Sequence, residues 1–266
     1  MLATNTRQCS PPLPDDEVRA IARSIANYPP GSPSDVLRTL TDAGNADRFS
    51  RQWGDSVRYV PQQKGWLVWN GTYWQPDAIG SVVEMAKQTA FDIYREGDQV
   101  TDADVRDAIV RHSKVSQQVQ RLEAMLKLAR SIPTLVVPIT ELDANPWLLG
   151  IQNGTLDLRT GTLMPPRRED YITKVGAVAY DAEAECPVFL TFLDEIMGHD
   201  QGLVDYLQRV LGYMLTGDTS EQRLFFLYGT GANGKSTLLN VCKGLLGADL
   251  CRQMPVETIM ARGGKR

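Results

Sequence analysis

Eight consecutive residues, Gly229-Thr230-Gly231-Ala232-Asn233-Gly234-Lys235-Ser236, satisfy the pattern G-x-x-x-x-G-K-[ST] without a gap. The chemistry that pattern serves is the holding of phosphate. Phosphate oxygens are dense negative charge, and glycines let a backbone wrap close and aim its N–H groups inward. A helix starting near Gly234 would turn its positive end toward the same oxygens. Lys235 is then a compact cation for β- and γ-phosphates, and the candidate catalytic residue. The Ser236 hydroxyl is placed to ligate Mg²⁺, an ion that keeps most of its own waters. Thr237 stands near where an α-phosphate would lie. Gly229, Thr230, Gly231, Ala232, Asn233, Gly234, Lys235, Ser236 and Thr237 therefore form the expected binding set for ATP with Mg²⁺. A glycine turn that merely tightened a joint would leave the Lys-Ser pair unexplained.

Holding a triphosphate is not hydrolysing it. Phosphoryl transfer also needs an acid for the metal and water, commonly at the end of another buried strand, and often an arginine from a neighbour. After Ser236 the acids are Asp249 and Glu257. "LLGAD" reads as a helix end and "MPVETIM" as a loop and short helix, so neither acid has the expected setting.

The loop needs elements to position it. "EQRLFFLYG" predicts a short strand before it, buried on both faces by its composition. Leu238, Val241, Cys242, Leu245 and Leu246 recur at helical spacing after it. Two further helices precede the strand. Pro187 opens the first, where a missing N–H does no harm. Its stripe is Val188, Phe189, Phe192, Leu193, Ile196 and Met197. The second starts near Gln201, buries Leu203, Leu207, Val210, Leu211 and Met214, and stops at Gly217.

Upstream, Asn70-Gly71 between "WLVW" and "TYW" predicts a hairpin. Trp66, Trp69 and Trp74 fall on it. Tryptophans there could stack bases, but packing is the preferred reading because each ring buries a large area. Residues 78–130 read as amphipathic helices, with stripes at Ile79, Val82, Val83, Ala86, Ala90 and Ile93, at Val105, Ala108 and Ile109, and at Val119, Leu122, Met125, Leu126 and Ala129. Arg111, Lys114, Arg121, Lys127 and Arg130 are expected on their solvated faces. Asn153-Gly154 and Thr160-Gly161 mark turns between strands. "DVLRTLTDAGNADRFSRQWG" gives one or two short helices. Residues 15–27 have helical spacing, and "YPPGSPSD" reads as a linker.

Composition narrows the class. A hydrophobic fraction of 42% and charged fraction of 23% in 266 residues are those of a soluble globular chain with a real core. No apolar run reaches the ~20 residues a membrane span needs. The N-terminus lacks the apolar core of a signal peptide, so a cytoplasmic protein is expected. Cys9, Cys186, Cys242 and Cys251 form no C-x-x-C pair, and His112 and His199 have no ligand partner at helical spacing, which argues against a disulfide framework or a protein-only metal site. Cys242 reads as core. The net charge of −4 excludes a basic footprint over the whole surface. Any DNA contact must be local, or shared among subunits of a ring.

"RLFFLYGTGANGKSTLLNVCKGLLG", with "CPVFLTFLDEIMGHDQGLVDYLQRVLGYMLTGD" before it, resembles the superfamily 3 helicase domain of phage and plasmid primase–helicases, relatives of the poxvirus primase–helicase. The Asn-Gly-Lys-Ser form, here Asn233 to Ser236, is typical of that group. "NADRFSRQWGDSVRYVPQQKGWLVWNGTYWQPD" and "NPWLLGIQNGTLDLRTGTL" are similar to its pre-helicase domain, and "PPLPDDEVRAIARSIANY" to the tail of a primase-associated region. The resemblance implies an α+β pre-helicase domain, helices with hairpins, followed by the start of an α/β P-loop NTPase domain of AAA+ type. It implies boundaries at 1–34, 35–184 and 185–266. It implies a hexameric ATP-dependent motor on single-stranded or forked DNA, encoded by phage, prophage or plasmid and working in a bacterial cytoplasm. It also implies that the acidic strand motif, sensor, DNA hairpin and arginine finger follow "ETIMARGGKR", so that the chain is expected to be cut short and inactive as a motor. Two other readings compete. One is a DNA-binding or interaction module in residues 35–184, without catalysis. The other is a P-loop kinase, disfavoured because its loop commonly lies on the first strand.

Overall fold

The computed structural model describes residues 33–255, together with Val18 and Thr258. The helix expected over 15–27 lies outside the described residues except for Val18. The chain divides into two compact units: Met1–Gly54 with Gly80–Leu135, and Asp55–Ile79 with Val136–Arg266.

The first unit is helical. Helix α1 spans Pro33–Arg38, so the last residues of the expected linker already turn as helix; the fixed φ of Pro33 suits a first turn. Helix α2, Asp42–Trp53, opens where the Thr41 hydroxyl accepts a bond from the Gly44 N–H at 3.1 Å. Helices α3 (Ser81–Glu96), α4 (Ala103–Ser116) and α5 (Val119–Ala129) follow. The Asp102 carboxylate caps α4 by accepting from the N–H groups of Asp104 and Val105. Phe49, Val82, Ala86, Ala90, Ile93, Ile109, Met125 and Ala129 are buried. Ile79, Val83 and Val119, expected in the stripes, face solvent instead. Ile79 precedes the first turn of α3, and the other two lie off the packed face. Arg111, Lys114, Arg121, Lys127 and Arg130 are exposed as expected.

Polar groups inside this unit are satisfied locally. Fully buried Asn45 donates from Nδ2 to Ser116 Oγ at 2.9 Å, and its Oδ1 lies 2.9 Å from His112 Nε2. Arg48, only 8% exposed, donates to both Glu96 carboxylate oxygens at 2.7 Å and to the Thr39 carbonyl. Burying such groups without partners would cost several kcal/mol, on the order of 1–3 each. Burial pushes the His112 imidazole below its ordinary pKa, and the Arg48 charge adds to the effect.

The second unit holds two small antiparallel sheets. Strands β1 (Val57–Val60), β2 (Gly65–Trp69) and β3 (Trp74–Pro76) pair in sequence order. The turn expected at Asn70-Gly71 is present: Asn70 Oδ1 accepts from the N–H groups of Thr72 and Tyr73, and Gly71 has φ 103°. Strands β4 (Leu148–Ile151), β5 (Gly154–Asp157) and β6 (Thr162–Met164) form the second sheet, also in order. Segment 168–176 touches both sheets. Trp74 donates from its backbone N–H to the Ile172 carbonyl and from Nε1 to the Arg168 carbonyl. Val175 bridges Gly150 in parallel. A side chain at Gly150 would lie 2.6 Å from Ile172 and 2.7 Å from the Lys174 carbonyl, so this approach requires glycine.

Helices α6 (Pro187–Ile196) and α7 (Gln201–Leu215) follow, with Pro187 in the first turn of α6 as predicted. Their stripes are less covered than expected. Leu193 and Val210 are buried, whereas Val188, Leu203 and Met214 are exposed. Among the described residues no helix is long and apolar enough to cross a membrane.

Candidate functional site

The glycine-rich loop lies between an irregular segment and helix α8, Lys235–Leu250. The strand expected over "EQRLFFLYG" is not formed: residues 222–229 make no ladder, and Phe226 and Tyr228 are 79% and 92% exposed. The physical reason is direct. A strand exists through hydrogen bonds to a neighbour, and none of the described strands pairs with this segment. The apolar composition remains and faces outward.

Helix α8 begins where the sequence predicts. Gly234 is its N-cap at φ 80°, a left-handed conformation that glycine adopts without strain, and no side chain caps the helix. The first-turn N–H groups are therefore not bonded by a capping side chain. Gly229 at φ 150° and Ala232 at φ 60° complete the turns of the loop. A side chain added at Gly234 would lie 2.6 Å from Ile196 and 3.0 Å from Phe192, so the loop rests against α6 at this point. Sequence spacing carried no sign of that contact.

Lys235 Nζ donates to the Gly229 carbonyl at 3.2 Å and to Asn233 Oδ1. Asn233 Nδ2 stands 2.0 Å from where a Gly229 side chain would be. Asn233, Gly234 and Lys235 are half-buried, and Thr230, Gly231, Ala232, Ser236 and Thr237 are exposed. The structure thus brings the predicted residues onto one loop and one helix end, with the lysine turned back onto its own loop. Leu238 is buried beneath the helix, while Leu245 is exposed. Cys242, expected in the core, is half-buried, and burial pushes its thiol above the ordinary pKa. No group of three or more His, Cys, Asp or Glu able to hold a metal occurs among the described residues. The donor set consists of backbone N–H groups, one ammonium and one hydroxyl. That chemistry suits an anion.

A cleft of about 270 Å³ lies in the helical unit, lined by Arg48, Gln52, Thr89, Asp92 and Glu96 among others. Its polar groups bond one another: Arg48 to Glu96, Gln52 to Asp92, Thr89 to Gln52. It reads as a seam between helices.

The tryptophan hairpin packs as expected. Trp74 is fully buried among Val60, Leu67 and Val137, with Trp69 and Tyr171 against it. Arginines then lie over aromatic rings: Arg58 Cζ is 4.9 Å from the Trp74 centroid, Arg168 is 5.8 Å from Trp69, and Arg159 is 4.9 Å from Trp147. Arg168 and Trp69 lie 99 residues apart, a pairing that spacing alone could not reveal.

One helical unit and one bearing two short antiparallel sheets, mixed α/β in all, define the class of fold. Residues 46–198, more than half of the chain, match the family described as D5 N terminal like, and the chain belongs to that family. It is also 32% identical over 125 residues to a protein of Acanthamoeba polyphaga mimivirus named "Putative helicase". The matched stretch is 46% of this chain and 13% of that protein. The protein is thus related to primase–helicases.

Proposed function

We propose that residues 229–237 bind ATP with Mg²⁺ and that the chain is the nucleotide-binding part of a superfamily 3 DNA helicase of the phage and plasmid primase–helicase type. The observation that carries this reading is the gapless loop sequence seated on an uncapped helix start, with Lys235 inside the loop. Gly229 and Gly234 keep the backbone close enough for its N–H groups to reach phosphate oxygens. Lys235 must leave Asn233 and the Gly229 carbonyl to face the β- and γ-phosphates. Ser236, in the first turn, offers its hydroxyl to the metal. Bound magnesium triphosphate supplies the phosphoanhydride bond whose cleavage would drive movement. The proposal covers binding and orientation of the nucleotide; turnover would require in addition an acid for the metal and water and an arginine.

The partner we propose is single-stranded or forked DNA, engaged by a hexameric ring of copies in the cytoplasm of a bacterial host. Residues 35–184 would serve as the pre-helicase domain and 185–266 as the front of the motor. Titration with a fluorescent ATP analogue tests the reading. Saturable, Mg²⁺-dependent binding that Lys235→Ala abolishes is the expected result. Equal affinity of that variant and the wild type would overturn it.

A further inference from the structure

Two arginines outside the glycine loop share an unusual setting. Arg159 lies over the Trp147 ring and Arg168 over the Trp69 ring, at 4.9 and 5.8 Å to the centroids. Both arginines are exposed. Neither makes an ion pair among the described residues, whereas Arg48, Arg95 and Arg121 each have a carboxylate within 3 Å. Their N–H donors therefore remain available while the indoles limit where the guanidinium can go.

Both platforms are anchored. The Trp147 carbonyl accepts from the Leu158 N–H at 2.9 Å, and the Arg159 N–H donates to Asp157 Oδ1 at 2.8 Å. Trp69 packs at 5.5 Å on buried Trp74, which donates to the carbonyl of Arg168 itself. Ring and arginine are thus tied to the same backbone in each pair.

We propose that Arg159 and Arg168 each contact single-stranded nucleic acid. A guanidinium held near an indole can stack a base on its plane and donate from its N–H edge to a phosphate. A carboxylate would use only the edge and would need no ring behind it, so an acidic peptide exploits half of the arrangement. A duplex buries its base faces in its own stack and could use only the phosphate contacts. The inference deepens the DNA partner proposed above and is independent of nucleotide.

The test is fluorescence anisotropy of a labelled oligo-thymidine strand with the full chain, without nucleotide, at low salt. Arg159→Ala with Arg168→Ala is expected to weaken binding about tenfold or more and to flatten the salt dependence by roughly 0.7 per lost phosphate contact. Arg159→Lys with Arg168→Lys is expected to restore the salt slope yet remain weaker than wild type by about threefold or more, because lysine has no planar face. Arg111→Ala with Lys127→Ala, on the helical unit, is expected to bind as wild type does. Circular dichroism melts that match wild type show that the variants fold. Wild-type affinity in the alanine pair, or in the lysine pair, or equal affinity for a duplex of the same length, overturns the assignment. Absence of any strand binding by the wild type overturns the DNA partner as well. Strand binding that persists unchanged in both pairs leaves the partner standing and removes these residues.

Discussion

Replacing Trp74 by alanine should destabilise the sheet-bearing unit strongly, because this ring is 0% exposed and does three jobs at once. It fills the space between Val60, Leu67 and Val137, supports Trp69 and Tyr171, and donates from Nε1 to the Arg168 carbonyl at 2.9 Å. Removing a buried tryptophan side chain costs about 3–5 kcal/mol through lost transfer energy and the cavity left behind. The lost hydrogen bond contributes about 0.5–1.5 kcal/mol. Trp74→Phe keeps a ring but not the donor, and should cost about 1–2 kcal/mol by the same reasoning. Urea denaturation followed by tryptophan fluorescence is the assay. Trp66, Trp69, Trp74 and Trp147 belong to this unit and Trp53 to the other, so the signal reports chiefly on the right part. A Trp74→Ala midpoint corresponding to less than about 1 kcal/mol would refute the packing argument.

Three other outcomes are expected. Asn233→Ala frees Lys235 from one of its two partners and should tighten nucleotide binding, by about two- to tenfold on the scale of one modest hydrogen bond; weaker binding in a nucleotide titration would show that Asn233 serves the ligand instead. Gly234→Val places a branched side chain against Ile196 and Phe192 at a left-handed φ, and should reduce both α8 helicity and nucleotide affinity, read by circular dichroism and the same titration. Stability of the helical unit should fall as pH drops below about 6.5, the ordinary histidine value. There the unfolded chain takes up a proton that His112 resists when folded beside Asn45 and Arg48, with Asp42 and Glu96 partly offsetting that resistance. Melting temperatures from pH 8 to 5 should show this loss, and His112→Gln should flatten it.

Much of the architecture was legible in the residues because its signals are local. Asn70-Gly71 and Asn153-Gly154 announced hairpins, Pro187 announced a helix start, and the loop composition announced α8 from Lys235. What escaped was non-local. The apolar run from Arg223 to Tyr228 signals a strand, yet pairing depends on a neighbour that composition cannot supply. Burial of Val188, Leu203 and Met214 was likewise inferred from spacing, which identifies a face but not what covers it. Asn45 reaches His112 and Ser116, and Arg168 reaches Trp69, across separations that only folding closes. The loop residues are contiguous, so the sequence pattern alone names them. The fold of Lys235 back onto Asn233, and the seat of Gly234 on α6, arise only from packing in three dimensions.

Helix α8 has a second anchorage at its far end. Gly247, at φ 72°, breaks the helical path, a side chain there would lie 2.9 Å from Ala177, and the Leu245 carbonyl accepts from the Ala177 N–H at 3.0 Å. The neighbouring Gly176 donates to Gly150 in β4. From Lys235 to Gly247 the rod is roughly 18 Å long at 1.5 Å per residue. It is a lever with one tip at the phosphate-shaped turn and the other bolted to a sheet. A tilt imposed where Lys235 sits would have to be taken up at this far anchorage, where Gly150 has little room for movement.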